Sequence, residues 1–134
     1  MMLDQKSFVK LSLVHPVLSA AIVSACGSYY IIEGRRAVVS SGVRTIAEQS
    51  KLFREGKSRT MMSKHLIGMA VDIALFKGGS SDVSNDINDY KRFNLWVQGA
   101  AKRMGCQIVW GGNFRTFLDG PHFELIDYPA WLPE

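Results

Sequence analysis

The run Met69-Ala70-Val71-Asp72-Ile73-Ala74-Leu75 alternates large apolar residues with Ala, Asp and Ala. A period of two puts Met69, Val71, Ile73 and Leu75 on one face of a β-strand and Asp72 between two small residues on the other. Any fold for this chain must therefore pack one face of a sheet on a core and house a carboxylate on the opposite face. The chain can supply that core: of its 134 residues 47% are hydrophobic and 21% charged, which excludes a disordered or low-complexity polymer. One domain, residues 1–134, is expected.

The segments around this strand carry their own start and stop signals. Pro16 suits a first helical turn, with His15 just before it and Gly27 as a stop. Tyr29 to Ile32 and Ala37 to Ser41, separated by Glu33-Gly34-Arg35-Arg36, read as two β segments of a hairpin. Thr45 and Glu48 form a capping box that opens a helix from Ile46 to about Glu55, stopped at Gly56. Residues 77–88 read as a surface loop. Tyr90, Phe93, Val97, Ala100, Ala101 and Met104 then recur at helical spacing, with Gly105 as the stop. Gln107 to Trp110 and Phe123 to Ile126 read as short strands. The order gives an α+β domain, a single small antiparallel sheet flanked by helices.

The two cysteines, Cys26 and Cys106, are too far apart for a CxxC motif and read as small core residues. The net charge of +4 and pI near 9.2 favour encounter with anionic polymers. Scattered basic residues without a recognition motif argue against nucleic acid, whereas cell-wall polymers are anionic too. Leu11 to Ala25 has the outline of a secretory signal, but Pro16, Gly27 and His15 fit a buried helix better. Its run of about eleven apolar residues falls short of the about twenty that span a bilayer, so no stable membrane insertion is expected. Synthesis in the cytoplasm is the expectation.

The chemistry concentrates around two of the three histidines. His65 lies seven residues before Asp72, with Gly68 permitting a turn and Ala70 and Ala74 leaving space beside the carboxylate. Asp119-Gly120-Pro121-His122 places a second carboxylate and imidazole around a bend fixed by Gly-Pro. Two readings are open at this level: solvated loop histidines, or three ligands for a metal with an open fourth position. Glu124 lies two positions after His122 and points the same way, either supporting a ligand or pairing with a cation. Trp110 reads as a cleft residue or a core residue. Asp82, Ser84 and Asp86 echo a calcium loop, yet Ile87 and Phe93 stand where that loop needs Gly and Glu.

The segment SxHxxGxAxD is matched by Ser63, His65, Gly68, Ala70 and Asp72, and it resembles the motif of the D-Ala-D-Ala carboxypeptidase-like zinc peptidases. His15-Pro16, Gly42-Val43-Arg44-Thr45 followed by Glu48-Gln49, and Trp110-Gly111-Gly112 leading to Asp119-Gly120-Pro121-His122-Phe123 extend the resemblance over most of the chain. It is nearest the L-alanyl-D-glutamate endopeptidase branch found in phage endolysins. The resemblance implies a hedgehog/D-Ala-D-Ala-peptidase-like fold and one zinc ion held by His65, Asp72 and His122. It further implies that Asp119 is the general base, that Arg44 meets the substrate and that Ser63 helps to position it.

Endolysin-type relatives pass almost directly from the first strand to the arginine turn. The extra strand-like run here means that Arg35 or Arg36 competes with Arg44 for the family role. The implied activity is hydrolysis of peptidoglycan stem peptides, with a holin-like partner opening the membrane, a monomeric enzyme, and no separate wall-binding domain after Glu134. A D-Ala-D-Ala carboxypeptidase or dipeptidase with the same metal site is the nearest rival. A non-catalytic zinc module is the rival from another class, and Asp119 argues against it.

Overall fold

The structure, a computed structural model, describes residues 2–58, 60, 63–78, 80–115 and 118–128. Asp4 opens helix α1 (Gln5–Leu11) by accepting the Ser7 N–H at 2.9 Å, a cap that sequence reading passed over. Helix α2 (Pro16–Glu33) starts at the expected proline, and His15 caps it through Nδ1, which accepts the Val17 N–H at 3.1 Å. Strand β1 (Ala37–Ser41), helix α3 (Ile46–Arg54), strand β2 (Ala70–Leu75), helix α4 (Ile87–Met104), and strands β3 (Gln107–Trp110) and β4 (His122–Ile126) complete the order.

The expected hairpin is absent, because α2 runs straight through Gly27 and Tyr29 to Ile32 are its last turns. Leu18, Ile22, Cys26 and Tyr29 recur at steps of four, four and three and form its buried stripe. Burial of that stripe outweighs the strand preference of the exposed Ile31 and Ile32. Gly34 ends the helix with φ 67°, the left-handed conformation that glycine adopts at least cost. With these added turns α2 is, among the described residues, the one helix long and apolar enough to cross a bilayer, which residues 11–25 alone were not. In the fold its stripe belongs to the core.

The sheet order is β1-β2-β4-β3, every pair antiparallel. Val71, Ile73 and Leu75 of β2 and Phe123 and Leu125 of β4 face α2 and α4 across the core. Both cysteines are free; Cys26 is in this core and Cys106 packs against it. The opposite face carries Asp72 directly across from His122, and Ser41 beside Asp72 on the other flank. A register shift between Val39 and Ser41 turns the chain at the end of β1 toward Arg44. The capping box holds as expected: Thr45 Oγ1 accepts from Glu48 N and Glu48 Oε1 from Thr45 N. The calcium-like spacing serves the start of α4 instead, where Asp86 accepts from Asn88 N and Ser84 Oγ donates to Asp89.

Candidate metal centre

Register alone makes Asp72 and His122 neighbours, since opposed residues of antiparallel strands project side by side on one face. His122 Nδ1 lies 3.3 Å from Asp72 Oδ1. His65 arrives from a 3-10 turn (Lys64–Ile67) just before β2, where Ser63 Oγ accepts the His65 N–H at 3.2 Å. Its Nε2 stands 3.4 Å from the same Asp72 oxygen. One ligand atom from each of the three lies within 4.8 Å of the others.

The hydrogen bonds decide which nitrogen each imidazole presents. His65 Nδ1–H donates to the Gly42 carbonyl at 2.7 Å, which leaves the Nε2 lone pair facing Asp72. His122 is held the other way round: Nε2–H donates to Glu124 Oε1 at 2.8 Å, so Nδ1 faces the centre. A carboxylate behind a ligating histidine fixes the ring and raises its basicity. Glu124 also lies 3.8 Å from Lys64 Nζ, so it pairs with a cation as well as with His122.

His65 Nε2 is buried and, among the described residues, has no hydrogen-bond partner. An orphaned ring nitrogen is costly in a protein interior. A divalent cation would complete it, and the donor set of two imidazoles and one carboxylate oxygen suits zinc in an open, three-ligand site.

Charge reinforces this geometry. Burial opposes ionisation of Asp72, but the close imidazoles outweigh it and hold its carboxyl well below the usual carboxylate range. Burial likewise opposes the charge on His122, yet hydrogen bonds to Asp72 and Glu124 raise its pKa to about 9. For Glu124, burial is overcome by the His122 hydrogen bond, and its pKa falls. Asp119 moves upward, first through burial and then through the negative charge of Asp72.

Asp119 owes its place to glycine. Its N–H donates to the Gly111 carbonyl at 3.0 Å, and its own carbonyl accepts from His122 N at 3.1 Å. A side chain at 111 would put a Cβ 2.1 Å from the Asp119 carbonyl oxygen, so the turn can lie this close only on bare backbone. Trp110 is 4% exposed and donates from Nε1 to the Gly120 carbonyl at 2.6 Å. Its indole is a core group beneath the turn.

Arg44 donates from Nη2 to Asp72 Oδ2 at 2.7 Å, from Nη1 to Gln49 Oε1 at 3.0 Å and from Nε to Ser41 Oγ at 3.3 Å. It also lines an open groove with Ser41, Glu48, Lys51, Leu52, Glu55 and Lys57. Arg35 pairs with Asp89 at 3.0 Å, and Arg36 lies over the Phe76 ring, so neither joins Asp72. Sequence reading had no signal for the Gly42 carbonyl, and it saw in Gln49 only one residue of a motif.

The chain is similar to known proteins over most of its length. A family profile described as phage L-alanyl-D-glutamate peptidase matches residues 1–126. The L-alanyl-D-glutamate peptidase of a Listeria phage is 33% identical over 93 residues, which are 69% of this chain but 31% of that protein. The peptidoglycan L-alanyl-D-glutamate endopeptidase CwlK of Bacillus subtilis is 33% identical over 107 residues, 70% of this chain and 63% of that one. The chain thus spans less than two thirds of either relative. Among solved structures, the Serratia marcescens L-Ala D-Glu endopeptidase ChiX superposes with a TM-score of 0.81 at 37% identity, over 94% of this chain and 92% of its own.

Proposed function

Because this chain belongs to the phage L-alanyl-D-glutamate peptidase family, we propose that it hydrolyses peptidoglycan stem peptides between L-alanine and D-glutamate, using one zinc ion. The observation that carries this reading is the convergence of His65, Asp72 and His122 beside a second, partly buried carboxylate, Asp119. A structural site would have no use for that carboxylate.

His65, Asp72 and His122 would hold the zinc, which would supply Lewis acidity toward water, whose pKa such a metal lowers from about 15.7 toward 7, and toward a carbonyl. The remaining work falls to the chain's own residues. Asp119 takes the proton of the attacking water and returns it to the leaving amine. Burial and the negative charge of Asp72 raise its pKa, which makes it a stronger base than a free carboxylate. Glu124 and the Gly42 carbonyl hold the two imidazoles in the orientations described, so the ligands need little rearrangement.

Arg44 places a positive charge on the rim of the open groove it lines, where it attracts an anionic group of the stem peptide and stabilises a developing oxyanion. Ser63 contributes by ordering the turn that carries His65. Trp110 contributes from below, by holding the turn that carries Asp119. As a phage or prophage lysis enzyme, the protein would be made in the host cytoplasm and reach the wall with a holin-like partner.

Digestion of purified cell wall tests the reading. New amino termini on D-glutamate are expected in zinc-loaded samples and disappear with a chelator. Release of D-alanine without new D-glutamate termini would overturn the assignment in favour of a carboxypeptidase.

A further inference from the structure

Gln49 is 0% exposed although it is a polar residue in a helix with a largely solvated surface. A buried primary amide needs partners at both ends, and here the partners dictate its orientation. Arg44 can only donate, so the group facing it at 3.0 Å is Oε1. The Thr60 carbonyl can only accept, so the group facing it at 2.6 Å is Nε2, which also reaches Ser58 Oγ at 2.8 Å. The amide thus joins the guanidinium to Ser58 and to the Thr60 carbonyl.

The consequence reaches Asp72. Its Oδ2 is taken by Arg44 Nη2 at 2.7 Å, while Oδ1 alone lies between His65 Nε2 and His122 Nδ1. We infer that Gln49 is a positioning residue that locks Arg44 onto Asp72 Oδ2, so that Asp72 offers one oxygen rather than two to the metal. A carboxylate with both oxygens free could chelate and fill the open position that the substrate or water requires. Arg44 blocks that mode only while its planar fork is held in register, and Ser41 and Gln49 supply the two other contacts that hold it. The inference rests on the metal reading of the site but not on the identity of the bond cleaved.

The test is a double-mutant cycle read by metal binding. Cobalt(II) affinity, measured by competition with a chelator, and the visible cobalt spectrum are recorded for wild type, Gln49→Met, Arg44→Met and the double variant. One cobalt per wild-type chain first checks the metal reading, independently of the cycle.

Gln49→Met is expected to weaken cobalt binding about tenfold and alter the spectrum in the wild-type background, as loss of an outer partner of a ligand does. In the Arg44→Met background it should change affinity less than twofold, because the effect passes through Arg44. Equal losses in both backgrounds, or none in either, would overturn the inference. Ser58→Ala removes one of the two Nε2 contacts and spares the arginine, so it is expected to leave cobalt binding within twofold of wild type. A loss matching that of Gln49→Met would overturn the inference, because the contact to Ser58 and not the hold on Arg44 would then carry the effect. Should Gln49→Met fail to fold, Gln49→Asn, an amide one methylene short of Arg44, enters the same cycle with the same expectations.

Discussion

Asp119 and His122 sit at the two ends of one turn, and both hold protons more tightly than free side chains do, for opposite reasons. Burial and the charge of Asp72 disfavour the ionised form of Asp119. In His122, two carboxylates favour the ionised form strongly enough to overcome burial and bring its pKa to about 9. A base must be deprotonated, so activity should fall on the acid side as Asp119 takes up a proton. Asp119→Ala is expected to keep zinc and thermal stability while hydrolysis falls about 10²- to 10⁴-fold; full activity in that variant would reject the base assignment.

For the metal-free protein, His122 contributes stability that is fully present below its unfolded pKa of about 6.5 and is lost as pH rises through about 9. Zinc must displace the proton on Nδ1, so binding at pH 7 should release a proton and tighten as pH rises toward 9. Calorimetry in two buffers of different ionisation enthalpy measures that release, and a buffer-independent heat would contradict the shift.

Among the elements, those bounded by chemistry specific to a position were readable from sequence. Thr45 and Glu48 mark the start of α3 and Gly105 the end of α4, because caps act over three or four residues and need no tertiary partner. The strand at Ala70–Leu75 was readable from its alternation alone. The end of α2 was not. Tyr29-Tyr30-Ile31-Ile32 is rich in strand formers, and only the core beneath Tyr29 keeps the helix going to Gly34. With the hairpin gone, Arg35 and Arg36 fall in the turn between α2 and β1, and Arg44 is the arginine beside Asp72.

The turn after β3 gives a sharper test of how elements build the site. Gly111→Ala forces a methyl against the Asp119 carbonyl, so the chain must move there, while His65 and Asp72 belong to other elements. Hydrolysis is expected to fall at least tenfold with circular dichroism unchanged; unaltered activity would mean that the turn's placement does not matter.

Across the whole molecule, the net charge of +4 suits an anionic wall. Exposed charges are screened beyond about 8 Å at physiological ionic strength. Sedimentation with purified wall should therefore show binding that declines steeply between about 50 and 500 mM salt, and salt-independent binding would point to a non-electrostatic attachment. The sequence by itself determined the donor types, the strand that carries Asp72, the caps and the Gly-Pro bend before His122, because each is a local property of a few neighbouring residues. Only the tertiary structure decided that β2 lies beside β4 with Asp72 opposite His122, that a buried imidazole nitrogen is left without a partner among the described residues, and that Gln49 reaches Arg44. Those relations join residues up to 50 positions apart, and strand register and core packing set them jointly for the entire chain.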